Sequence, residues 1–499
     1  MYIIDAIEPD DIETFSTCCK LMYSLTRHRI QEHKEKKSLF SKLFVEDYFL
    51  PFPKLLRDEK YGRPDTYLKE FFSDERNRLY PKDMVVGIVQ DGSSPIQQYG
   101  DVRTARTPAN YDEIYQGLDE FEHQLKSKMT EVHSMINLEI GGIEAEDWDE
   151  HFKAGYPLAT FLLLLALLPN LEQLKIEDFS LIGQTLSANY SKIARLMIEA
   201  ALGQEENGLG FGGRLSKCTI ECDCGEGVGE SLLPFIMMLP RMQTVQGFSL
   251  AISNGSWPFT DAVSPVVDLD LQGAIDTVTL SNYVRGIREL KRFRYTYNGA
   301  PEVDWEPYGI VATLTQSASR SLVHLDLTTS GAFEMDWWSD TAPGIGSLRS
   351  FEVLETVRLH YILLFEEVQT IDSAAKVYSA EILGDLFNKS LVIKQILIDN
   401  SLVKEQTLND KSLFAVQILI DFLPSSVRTF QLDGIVKAEF IFDTFEGFPE
   451  HRVERLPNLE LISLDAGDKF NSQIEKICKE AGVQMELSQD NSIFPDISE

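Results

Sequence analysis

Leu168-Pro169-Asn170-Leu171-Glu172-Gln173-Leu174-Lys175-Ile176 is the stretch whose reading decides the fold. The apolar run at residues 161–168 reads as a helix that stops at Pro169, because proline disfavours helical geometry in the residue before it. Pro169-Asn170 is a turn, and Leu174 and Ile176 then alternate with Gln173 and Lys175 as in a half-buried strand. The pattern is apolar-x-x-apolar-x-apolar, set by Leu171, Leu174 and Ile176.

The same template recurs to the C-terminal side, and repetition at such intervals marks a stacked-repeat architecture. It fits Leu215/Cys218/Ile220, Met242/Val245/Gly247, Ile275/Val278/Leu280, Leu290/Phe293/Tyr295 and Leu322/Leu325/Leu327. It fits again at Leu354/Val357/Leu359, Ile393/Ile396/Ile398, Val427/Phe430/Leu432 and Leu459/Ile462/Leu464. In a strand the second and third apolar residues point to one face and the residues flanking the second point to the other. Those flankers are Gln173, Lys175, Lys217, Thr219, Thr244, Gln246, Thr277, Thr279, Arg292 and Arg294, then His324, Asp326, Thr356, Arg358, Gln395, Leu397, Thr429, Gln431, Leu461 and Ser463. All but Leu397 and Leu461 are polar. The pattern therefore predicts strands with one buried and one wet face.

Helical patterns lie between the strands, at 231–238 and at 412–422, each running into Leu-Pro. One strand and one helix cannot bury their apolar sides alone, but stacked copies can. The competing architecture is a doubly wound α/β domain, whose strands are apolar on both faces. The wet strand face favours the stacked array.

This array resembles the irregular leucine-rich repeats of fungal-type F-box/leucine-rich-repeat proteins. Leu167-Leu168-Pro169-Asn170-Leu171 before a strand carries the resemblance, and Leu456-Pro457-Asn458-Leu459 nearly repeats it. The fold implied is α/β: an irregular leucine-rich-repeat solenoid, with a curved parallel sheet and outer helices. Most intervals exceed the roughly 20–29 residues usual for such repeats, and the asparagine that normally follows the strand pattern is mostly missing.

At the N-terminal end, Pro9-Asp10-Asp11 has the look of a first helical turn. Ile12, Phe15, Cys19 and Met22 follow at helical spacing. The segment 7–25, with Pro-x-Asp-Ile-x-x-Phe and Cys-Lys-x-Met-Tyr-x-Leu, resembles the second half of an F-box. The Leu-Pro-x-Glu helix that opens an F-box is absent, so the resemblance is to an N-terminally truncated one. It implies that Pro9, Ile12, Phe15, Cys19 and Met22 pack the module or meet the Skp-type adaptor of a cullin-RING ubiquitin ligase. The expected organisation is a partial F-box-like helical segment (1–40), an irregular helical and loop region with a candidate first strand at 84–89 (41–160), the solenoid (161–487) and a polar tail (488–499).

Composition sets bounds on function. The formal net charge of −32 opposes a nucleic-acid backbone or an anionic membrane as main partner. Six cysteines at irregular spacing make no disulfide framework. No basic segment leads into a long apolar run at the N-terminus, so no signal peptide is read, and a cytoplasmic or nuclear location is expected.

No motif carries chemistry. Gly208-Leu209-Gly210-Phe211-Gly212-Gly213 precedes a strand, whereas a dinucleotide loop follows one and opens a helix. Gly225, Gly227 and Gly229 sit among Asp223, Glu226 and Glu230, which repel phosphate. Cys218, Cys222 and Cys224 lack a fourth zinc ligand nearby. The expectation is a non-catalytic protein with no cofactor and no metal.

The feature above background is tryptophan beside the strands: Trp257, Asp304-Trp305-Glu306 and Asp336-Trp337-Trp338. Tryptophan is enriched at binding hot spots. Trp257, Trp305, Trp337 and Trp338, with Arg292, Arg294, His324, Asp326 and Arg358 of the wet face, are the candidate partner-binding set. The alternative is that each tryptophan plugs the edge of its own repeat. Function is then expected to be substrate recognition for a cullin-RING (SCF-type) ligase by proximity, or protein-binding scaffolding unrelated to ubiquitin.

Overall fold

The computed structural model describes residues 9–18, 20–47, 67, 70–71, 74–89, 164, 167–177, 214–221, 232–252, 255, 257, 263–298, 305–329, 344–367, 414–416, 418–434, 442, 444–464 and 468–487. The strands are β1 (Lys42–Asp47), β2 (Asp83–Val89), β3 (Gln173–Ile176), β4 (Lys217–Glu221), β5 (Thr244–Ile252), β6 (Asp268–Ile275) and β7 (Arg292–Tyr297). They continue as β8 (His324–Thr329), β9 (Thr356–His360), β10 (Phe365–Glu367), β11 (Phe414–Val416), β12 (Thr429–Asp433), β13 (Leu461–Leu464) and β14 (Gln484–Leu487). The helices are α1 (Pro9–Thr17), α2 (Lys20–Phe40), α3 (Leu232–Met237), α4 (Thr277–Arg285), α5 (Pro307–Ala318), α6 (Leu419–Phe422), α7 (Phe448–Arg455) and α8 (Asp468–Glu480).

The chain divides into two compact units, residues 1–274 with 286–288, and 275–285 with 289–499. In the first unit the strand order is β1-β2-β3-β4-β5-β6. From β1 to β5 each strand pairs in parallel with the next. In the second it is β7-β8-β9-β12-β13-β14, parallel throughout. Neither unit reverses its strand order, as a doubly wound sheet does. Each new strand is added on the same side as the last, which is what stacked repeats require.

Register makes the template physical. In the first unit Leu43, Met84, Leu174, Cys218 and Val245 stand opposite one another. In the second, Phe293, Leu325, Val357, Phe430 and Ile462 do the same, followed two residues on by Tyr295, Leu327, Leu359, Leu432 and Leu464. All of these are buried. They form continuous apolar rows on one face of each sheet, each residue touching its counterpart in the next strand. Non-directional burial of such rows is the main favourable term in the fold.

The Leu-Pro-Asn-Leu motif explains how one repeat is stapled to the last. The N–H of Leu171 donates to the carbonyl of Leu168, and that of Leu459 to Leu456. This closes a turn that leaves the asparagine pointing sideways. Asn170 donates through Nδ2 to the carbonyl of Leu79 at 2.8 Å, and Asn458 to the carbonyl of Ser425 at 3.0 Å. Both acceptors stand four residues before the preceding strand, so the same staple is made in both units. A second device recurs along both sheets: one carbonyl just before a strand accepts two consecutive N–H groups of the next repeat. Lys291 takes those of Val323 and His324, and Val323 those of Glu355 and Thr356.

Some of the predicted elements move. Ile275/Val278/Leu280 is not a strand: β6 ends at Ile275 and α4 begins at Thr277. Asp276 caps the helix by accepting from the N–H of Thr279 at 2.9 Å and from its hydroxyl at 2.6 Å. The template fits instead at Val266/Leu269/Leu271, all buried, in β6. Gly273, at φ +149, lies where a Cβ would meet the carbonyl oxygen of Leu250 at 2.0 Å, so a side chain is excluded there. Phe40/Leu43/Val45 also fits the template and places β1 where no strand is predicted. The helix expected over 412–422 is β11 followed by the short α6. β9 pairs directly with β12. Ile393, Ile396 and Ile398 lie outside the described residues, as do the Gly208–Gly213 and Gly225–Gly229 motifs, Cys222 and Cys224.

Candidate functional site

The face of the second unit's sheet opposite the apolar rows collects the polar flankers. Register sets Arg292 beside His324 and Thr356, and Arg294 beside Asp326, Arg358 and Gln431. One step further, His360 stands beside Asp433. Five sequence-predicted residues, Arg292, Arg294, His324, Asp326 and Arg358, are thus brought onto one face of adjacent strands. Among the described flankers that lie in strands, only Asp326 is buried.

The geometry is an alternating charge ladder. Asp326, 2% exposed, accepts from Nε of Arg294 at 3.2 Å and from Nη1 of Arg358 at 3.5 Å through the same oxygen. Arg358 reaches the other way to Asp433, with Nε at 2.6 Å and Nη2 at 2.5 Å from Oδ2. The Gln431 amide donates to the second oxygen of Asp433 at 2.8 Å. Thr296 and Thr328 link their hydroxyls at 3.0 Å. Burying Asp326 alone would cost several kcal/mol; two guanidinium groups stand against it. Arg294 remains 45% exposed at its side chain, so its positive end stays in water.

His360 is mostly buried, and burial pushes its imidazole down to about 4, against the pull of the Asp433 carboxylate. It is neutral at physiological pH. Asp433 and His360 are missed at the sequence level because they lie past the end of the template, whereas Gln431 is one of its flankers. Reading one strand position beyond the last apolar residue, where the side chain returns to the polar face, recovers Asp433 after Leu432 and His360 after Leu359.

The tryptophans divide. Trp305 is 8% exposed; its ring stacks on Tyr297 at 4.4 Å and meets Tyr295 edge-on at 5.9 Å. It serves the core of its own unit instead of a rim, as the plugging alternative expects. Trp257, in the other unit, packs over Gly286, where a Cβ would lie 2.5 Å from the indole. Trp337 and Trp338 lie outside the described residues.

In the first unit, Ile12 is 3% exposed and Phe15 is half-buried in α1. Pro9 lies in α1 and Met22 in α2; their side chains, and Cys19 as a whole, lie outside the described residues. The helices are fastened to the following segment by polar contacts. His33 Nδ1 lies 3.2 Å from the Tyr80 hydroxyl, and Lys36 pairs with Asp74. Asp74 also caps the short 3-10 helix Glu75–Leu79. On the polar side of β3, Lys175 bridges Glu177 at 2.8 Å and Glu221 at 3.0 Å.

Among the described residues no group of three His, Cys, Asp or Glu side chains is arranged to hold a metal ion, and no helix is long and apolar enough to cross a membrane. Cys218 lies in the core row, its thiol pushed up to about 12 by burial. No protein-family model, curated protein or solved structure matches this chain.

Proposed function

We propose that this chain is a non-catalytic protein-binding module: a leucine-rich-repeat array whose polar strand face holds a protein. Through its N-terminal helices it recruits the Skp-type adaptor of a cullin-RING ubiquitin ligase. It acts by proximity, holding a substrate near the loaded ubiquitin carrier. The observation behind this reading is the in-register polar face over β7, β8, β9 and β12, where arginine, aspartate and histidine side chains stand side by side. Such a face offers many directional contacts, which give specificity more than raw affinity.

A photo-crosslinking residue tests the binding face. Placed at Thr356 on β9, it should trap a protein in cells; placed at the exposed Gln316 on α5, it should not. Equal yields from the two positions contradict this use of the face.

A second reading, a repeat scaffold with no link to ubiquitin, is favoured by the burial of Ile12 within this chain. Gel filtration of the full chain with purified Skp adaptor separates the two. Co-elution supports the ligase adaptor; separate peaks support the scaffold.

A further inference from the structure

The strand face of the second unit is a place where the sign of charge departs from that of the whole molecule. The chain carries a formal −32. On the face formed by β7, β8, β9 and β12, the arginines Arg292, Arg294 and Arg358 stand against the carboxylates Asp326 and Asp433. Both carboxylates are already contacted by guanidinium groups. The more buried of them, Asp326, presents almost nothing to water, while Arg292 and Arg294 are exposed. An approaching partner therefore meets positive charge first. His360, neutral through burial, adds none, and Thr356, Thr429 and Gln431 add polar but uncharged contacts.

We propose that this face binds an acidic, carboxylate-rich protein segment, resting on the reading of the face as a protein-binding surface. The guanidinium plane matches a carboxylate in two-point geometry, and charge-assisted hydrogen bonds of that kind are among the stronger polar contacts. Arg294 and Arg358 are held in place by Asp326 and Asp433, so little side-chain freedom remains to be lost on binding. The distant negative charge of the chain does not cancel this, because at physiological ionic strength charges more than about 8 Å apart are largely screened. It does slow the approach of an acidic partner. Recognition is thus local and short-range.

The test is fluorescence anisotropy at physiological ionic strength, where the chain's distant charge is screened, with the full chain and two labelled probes: a Glu/Ser peptide and a Lys/Ser peptide of equal length. The Glu/Ser peptide should bind, the Lys/Ser peptide should not, and Arg292→Glu should weaken binding about tenfold or more. Arg294→Lys, which keeps the charge, should weaken it less than Arg294→Gln, with thermal melts confirming that each variant is folded. Glu/Ser binding unaffected by Arg292→Glu places the contact elsewhere and overturns the proposal. Lys/Ser binding that Arg292→Glu strengthens, with no Glu/Ser binding, overturns the assigned charge while keeping the face as a protein-binding surface. Binding of neither peptide overturns the proposal and withdraws its support from that surface reading.

Discussion

Asp326 shows how a single residue ties the face together. It is a buried carboxylate whose charge is tolerable because Arg294 and Arg358 share one of its oxygens. Asp326→Ala removes the anion and leaves two guanidinium groups facing each other across one strand. Because both arginines are partly exposed, the expected loss is about 1–3 kcal/mol rather than the larger penalty of a fully buried broken pair. Urea unfolding checks it. His360 supplies a pH signature. Its folded value, about 4, lies below the ordinary 6.5, so the unfolded chain takes up the proton first. Stability from this residue is complete above pH 6.5 and falls as pH drops from 6.5 towards 4, by up to about 3 kcal/mol. The His360→Gln variant should lose that part of the acid slope, and an identical slope in the variant would contradict it.

At the scale of elements, the asparagine staple and the helix cap are the informative cases. Asn458→Ala deletes the bond to the Ser425 carbonyl and should cost about 1 kcal/mol. Asn170→Ala removes a more buried bond, to Leu79, and should cost somewhat more. Asp276→Ala removes the cap of α4, with an expected loss of about 1 kcal/mol, readable as a lowered Tm. Phe430→Ala empties a fully buried site in the apolar row and should cost about 3–5 kcal/mol. These elements also show what the sequence could reveal. The strands at Leu174, Phe293, Leu325, Val357 and Phe430 were legible because one apolar residue alternates with polar neighbours, which only a half-buried strand requires. The register at Ile275 was not, since Ile-Asp-Thr-Val-Thr-Leu satisfies the strand template and a capped helix equally; the Asp276 cap decides it. β1 was hidden because Phe44 stands where a polar flanker was expected. Trp305 could not be placed from sequence, because acidic neighbours suggested exposure while Tyr295 and Tyr297, contributed by the strand before it, enclose the ring.

For the molecule as a whole, the main sheet of each unit is a run of parallel strands added one after another in chain order, with β10 and β11 forming a separate antiparallel pair in the second. Local contacts between successive repeats carry the architecture, so stability is expected to spread along the chain. The functional reading depends on one property of this arrangement: neighbouring strands are aligned without offset, so that polar side chains meet polar side chains. A slip by one residue would turn every arginine and aspartate of the face into the core. The face was legible from the template; the pairing of Arg358 with Asp433 was not, because 75 residues separate them and only the direct contact of β9 with β12 brings them together.

Cysteine pairing measures that alignment most directly. Thr296 and Thr328 face each other across β7 and β8. In the double variant Thr296→Cys/Thr328→Cys, mild oxidation should give a linked peptide pair by mass spectrometry. In Thr296→Cys/Leu327→Cys, where the second thiol lies on the opposite face, it should not. Linkage in the second pair with none in the first would contradict the register on which the binding face rests.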